Sequence, residues 1–161
     1  MTFKPRLDDN SVLLPFRIAH LAGMQLDPIQ QHDMDKFPHA YEMLEAQAEH
    51  GPAHTYMIDG FPLACFGAVE TFPGVAEVWL LLDSRAGAYA VTVGRNSRMY
   101  FDQLGPAMKL RRCQMTVDVT FRSAIRYAEW CRFEVEGVMR KYGMDGQDNF
   151  LMSRIYDEQG Y

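Results

Sequence analysis

The chain has 161 residues, 48% of them hydrophobic and 23% charged, enough apolar material for the core of one domain. A formal net charge of -5 argues against general nucleic-acid binding, and no apolar run is long enough to cross a bilayer. The first residues, Met1 to Val12, lack the apolar core of a signal peptide, so the cytoplasm is the expected compartment. Three widely spaced cysteines, Cys65, Cys113 and Cys131, fit neither a disulfide framework nor a zinc knuckle and read as buried thiols.

In chain order, residues 2–6 read as a short first strand. Asp9, Asn10 and Ser11 offer N-caps for a helix over 12–21 that ends at Gly23, with Pro15 tolerated near its first turn. Residues 27–37 form a polar, acidic segment. Pro38 opens a second helix carrying Ala40, Tyr41, Leu44 and Ala48 at helical spacing, closed by Gly51 and Pro52. Strands over 54–58 and 61–71 flank Asp59-Gly60, a two-residue hairpin signal. After a turn at 72–74, residues 75–82 are almost continuously apolar, the mark of a strand covered on both faces.

Residues 83–94 then read as a small-residue, glycine-containing loop. A helix starts near Asn96 and breaks at Gly105-Pro106. A strand over 114–120, a helix over 122–131 and a strand over 133–142 follow. A hairpin loop at 143–146 leads into a last strand over 150–155.

Strand, two helices, three antiparallel strands, helix, strand, helix and final hairpin is an order that resembles the N-acetyltransferase (GNAT) fold over nearly the whole chain. The closest local match runs from Ala124 through Ile125, Tyr127, Trp130, Phe133 and Gly137, followed by Arg140, Asp145-Gly146 and Arg154. The resemblance implies a single α/β (α+β) domain over residues 1–161, a mixed, mostly antiparallel sheet of about six or seven strands flanked by about four helices. The hairpin residues Gly60, Phe61, Pro62, Leu63 and Ala64, with the overall layout, are similar to GNAT-like internal virion and assembly proteins of short-tailed phages. That likeness implies other protein subunits as partners, in the host cytoplasm or the assembled virion, with no specific nucleic acid.

An active GNAT enzyme uses acetyl-CoA, holding its pyrophosphate on backbone amides at a helix N-terminus. The family pattern there, Gln/Arg-x-x-Gly-x-Gly/Ala, is not met: Gly87, in Arg85-Ala86-Gly87-Ala88, comes one residue early. Gly94, Arg95, Asn96, Ser97 and Arg98 give a second candidate anion site at a helix start; an ordinary capped loop is the preferred reading. Alignment on Phe133 puts Ala128 where the family's general-acid tyrosine stands, with Tyr127 one residue away, and Arg132 where the family has glycine. Tyr127 and Glu70 are thus the catalytic candidates of an active enzyme, with Glu77 as a second possible base; packing and a solvated strand face are the competing readings.

Lys109, Arg111, Arg112, Arg122 and Arg126 form a basic cluster suited to a phosphate, an acidic partner or water. His20, His32, His39, His50 and His54 show no ligand spacing, so no metal site is expected. Two functions stand open: a GNAT-fold protein with a degenerate acyl-CoA site that works through protein contacts in a phage virion or its assembly, and an acetyl-CoA-dependent N-acetyltransferase with a divergent loop.

Overall fold

A computed structural model describes residues 10–156. It contains seven strands, four α-helices and two 3-10 helices. The expected strand over 2–6 lies outside the described residues.

The segment expected as a first helix is instead a strand, β1 (Ser11–Pro15), followed by a 3-10 helix (Ile18–Gly23). β1 runs antiparallel to β2 (Ala53–Ile58), from Ser11 opposite Ile58 to Pro15 opposite His54. Proline lacks a donor and suits the end of an edge strand. The polar stretch that follows holds a helix of its own, α1 (Pro28–Lys36). Asp27 caps it by accepting from the Ile29 amide at 2.9 Å, and Pro28 occupies the first turn. α2 (Ala40–His50) begins after His39, which sits in the left-handed region at φ 55°. Its buried side comes from Ala40 and Leu44.

β2 and β3 (Phe61–Phe72) form the expected hairpin. Asp59 and Gly60, at φ 48° and 83°, supply the two left-handed positions of its turn. β4 (Val75–Leu82) follows directly. A second 3-10 helix (Ser84–Tyr89) then runs into α3 (Ala90–Met108), so this helix starts six residues before Asn96 and continues through Gly105 and Pro106. β5 (Arg112–Asp118), α4 (Arg122–Trp130), β6 (Glu134–Met139) and β7 (Asn149–Ile155) complete the chain.

The strand order is β1-β2-β3-β4-β5-β7-β6. The β1–β2, β2–β3, β5–β7 and β6–β7 ladders are antiparallel, and β4 with β5 is parallel.

The described residues divide into two compact units. One holds residues 10–69 and Val78–Val93; its core gathers Phe16, Leu44, Cys65 and Leu81, with Met24, Leu26, Met34 and Trp79 against them. The other holds Glu70–Glu77 and residues 94–156, and buries Tyr100, Phe101, Leu104, Cys113, Ala128, Cys131, Phe133 and Met152. There Phe101 meets Phe133 edge-on, ring centroids 5.0 Å apart. All three cysteines are free and buried, and burial pushes the Cys65 and Cys113 thiols up to about 11 and Cys131 up to about 12.

Candidate functional site

The segment joining β4 to α3 is organised by Asp83, which is 1% exposed. Its carboxylate accepts from the Gln25 amide at 2.9 Å, the Arg85 amide at 2.8 Å, and Arg85 Nε and Nη2 at 2.7 and 2.8 Å. The Arg85 guanidinium, followed by these amides, holds the Asp83 carboxyl down at about 2 against the opposing effect of burial. The backbone is drawn in as well: the Ser84 amide donates to the Gln25 carbonyl at 2.7 Å and the Ala86 amide to the Asp83 carbonyl at 2.9 Å. Amides 84, 85 and 86 therefore all have acceptors within the chain. Arg85 also stacks on Phe61, 3.7 Å from the ring centroid, and the Tyr89 hydroxyl donates to Asp59 at 2.7 Å. Gly87 lies in this 3-10 helix, and a Cβ there would meet nothing within 4 Å.

Gly94, Arg95, Asn96, Ser97 and Arg98 do not open a helix. They lie in the second and third turns of α3, where backbone amides bond to carbonyls of the preceding turn. Gly94 lies against α4, because a Cβ there would come within 3.0 Å of the Trp130 indole nitrogen. Asn96 is buried, Ser97 hydrogen-bonds Tyr127, and the Arg98 guanidinium stands 5.4 Å from the Trp130 ring. The Arg95 Nε is buried without a hydrogen-bond partner.

Tyr127 is half-buried on α4 and pairs with Ser97 and with the Cys131 sulfur. Desolvation first, then the neighbouring Cys131, pushes its phenol well above the usual range. Ala128 is fully buried in the core. Arg132 has φ 67°, so it occupies a left-handed turn after α4 that glycine would adopt without strain.

The two candidate bases differ in placement. Glu70 closes the β3–β4 turn, accepting from the Gly74 amide at 2.7 Å. Glu77 sits opposite Gln114 in the third and last β4–β5 register, after Val75–Arg112 and Ala76–Cys113. Gln114 Nε2 donates to Glu77 at 3.4 Å, and Arg112 Nε donates to Gln114 Oε1 at 2.8 Å. Arg112 grips Glu136 with two bonds of 2.7 Å, and Ser153 donates to the same carboxylate at 2.7 Å. Arg112, followed by Ser153, holds Glu136 down at about 2. This chain of polar groups from β4 to β6 is not apparent from spacing, because it depends on strand order.

The basic cluster is dispersed. Arg112 is engaged as above, and Arg111 donates to the Pro73 carbonyl at 2.9 Å, whereas Arg122 and Arg126 are exposed on α4. Among the histidines, His20 Nδ1 accepts from the Arg17 amide at 3.2 Å and pairs with Thr55 Oγ1 at 2.7 Å. That geometry needs a neutral ring, and burial, then Arg17, lowers its pKa. Among the described residues, no group of three or more His, Cys, Asp or Glu is placed to hold a metal, and no helix is long and apolar enough to cross a membrane.

This architecture, a seven-stranded mixed sheet with a parallel β4–β5 step, is the GNAT fold. No family model and no curated protein sequence matches the chain. Solved structures do. Ard1 from Thermoplasma volcanium has a TM-score of 0.73 at 16% identity, over 92% of this chain and 99% of its own. A GNAT-family acetyltransferase from Bacillus anthracis gives 0.71 at 11%, over 96% and 98%. The ribosomal-protein-S5-alanine acetyltransferase from Vibrio fischeri gives 0.68 at 14%, over 95% and 97%. Two further similar structures, the acetyltransferases RimL and MccE, contain coenzyme A and acetyl-CoA respectively. At these identities the likeness is one of fold.

Proposed function

We propose that this chain is a GNAT-fold protein whose acyl-CoA site is degenerate and which works through contacts with other protein subunits. The observation that carries this reading is the closed segment after β4. In a pyrophosphate site the leading amides and a basic side chain must be available to an anion. Here amides 84 to 86 point at Gln25 and Asp83, and Arg85 is neutralised by Asp83 and stacked on Phe61. These residues do not fit a CoA pyrophosphate. Tyr127 supports the same reading, since its hydroxyl is engaged with Ser97 and Cys131. The setting proposed for the contacts is a phage virion or its assembly, on the likeness of the hairpin at Gly60 to Ala64.

The acetyltransferase reading retains one supporting observation: Glu77 is exposed at the point where β4–β5 pairing ends, oriented by Gln114. Calorimetric titration separates the two. Acetyl-CoA is expected to give no binding heat, and micromolar affinity would overturn the degenerate-site reading in favour of the enzyme.

A further inference from the structure

α4 carries an exposed ridge unlike the rest of this acidic chain. Arg122, Arg126 and Trp130 are all exposed, Trp130 to 55%, while Ala128 on the other side is buried. They follow one another at four-residue steps, about 6 Å apart along one helix face. The indole is held in place from α3: Gly94 makes room for it and Arg98 lies beside its ring. Among the described residues, Arg122 and Arg126 have no ion pair. The one acid on α4, Glu129, flanks the ridge.

α2 carries a ridge of the same pitch and opposite charge. Tyr41, Glu45 and Glu49 are all exposed, Tyr41 to 46%, and stand at the same four-residue steps. Ala40 and Leu44 bury the other side of that helix. Glu42 borders the ridge, 3.8 Å from His39. Glu45 and Glu49 have no cationic partner among the described residues.

We propose that the Arg122–Arg126–Trp130 ridge of one copy docks antiparallel on the Tyr41–Glu45–Glu49 ridge of a second copy. This alignment sets Arg122 against Glu49, Arg126 against Glu45 and Trp130 against Tyr41. Two arginine–carboxylate pairs and an aromatic pair then fall in register, the residue types that dominate interface energetics. Because the two ridges are different patches, each copy in the contact keeps its other ridge for a further neighbour, and the contact propagates to a ring or a filament. Nucleic acid is a poorer occupant for the basic ridge, since the chain's net charge of -5 opposes a polyphosphate. The contact extends the reading of a protein that acts through subunits, and it is tested separately from that reading.

The test is sedimentation of the full chain over micromolar to near-millimolar concentrations, at about 50 mM and about 500 mM salt. Wild type should associate beyond the monomer, and more weakly at the higher salt. R122E/R126E and E45R/E49R should each raise the dissociation constant at least about tenfold. The four-residue charge swap should restore association, and circular dichroism should match wild type throughout. A monomer at every concentration in low salt overturns the proposal, and so does a charge swap that fails to restore association. A monomeric wild type that binds a labelled single-stranded oligonucleotide through Arg122 and Arg126 overturns it in favour of nucleic acid. Acetyl-CoA binding with association intact would refute the proposed function and leave this contact standing.

Discussion

Arg132 holds a left-handed turn at φ 67°, where a side chain pays a steric penalty of about 1–2 kcal/mol that glycine avoids. Among the described residues, the ion pair its side chain makes in return is a 4.0 Å approach of Nη1 to Asp102, and both side chains are largely exposed. Asp102 has a better partner in the buried Arg154. Arg132→Gly should therefore stabilise the protein by about 1 kcal/mol, since an exposed ion pair of this kind contributes little. Thermal unfolding checks this, with a rise of about 2–4 °C expected for a domain of this size. The resemblance aligned on Phe133 drew attention to this position as one where glycine is expected, so the residue was legible in the sequence. The backbone angle, which decides the sign of the substitution, was not.

At the scale of elements, the segment from Ser84 to Tyr89 depends on a single buried carboxylate. The Asp83 carboxyl lies at about 2 in the folded protein, below the roughly 3.9 of an unfolded chain. A depressed carboxylate contributes stability that is fully present above the unfolded value and is lost as pH falls through the folded one. Asp83 should thus add about 2 kcal/mol near neutral pH, lost between about pH 4 and pH 2. Urea unfolding of wild type and Asp83→Asn as a function of pH should show a gap that closes across that window. A constant gap would mean that Asp83 acts through shape alone.

The same segment marks where sequence reading ran out. Asp59-Gly60 and the apolar run of β4 were legible because their signals are local: two left-handed positions in a turn, and a strand without alternation. The start of α3 was missed because Gly87 and Gly94 read as loop residues. Asp83, bonded to Gln25 from far along the chain, helps hold the region as continuous helical structure. The run over 12–21 misled for a related reason. Short apolar stretches do not separate helix from strand, and pairing with β2 decided the matter.

At the scale of the whole molecule, the order of strands and helices was enough to anticipate a GNAT-type sheet, since the β2–β3 hairpin, β4, β5, α4 and the final strand pair had local signatures even though β1, α1 and the start of α3 did not. Function was less legible, because it turns on which amides and side chains are already engaged, and those partners lie in other elements. The likeness to solved acetyltransferases at 11 to 16% identity establishes the fold and leaves the chemistry to this chain's own residues.

Amide hydrogen exchange over Ser84 to Tyr89, with and without saturating acetyl-CoA, tests the closed segment most directly. The expected result is slow exchange at 84 to 86 in the free protein, unchanged by acetyl-CoA. Fast exchange in the free protein that becomes protected when acetyl-CoA is added would contradict it, and would identify the segment as a working pyrophosphate site.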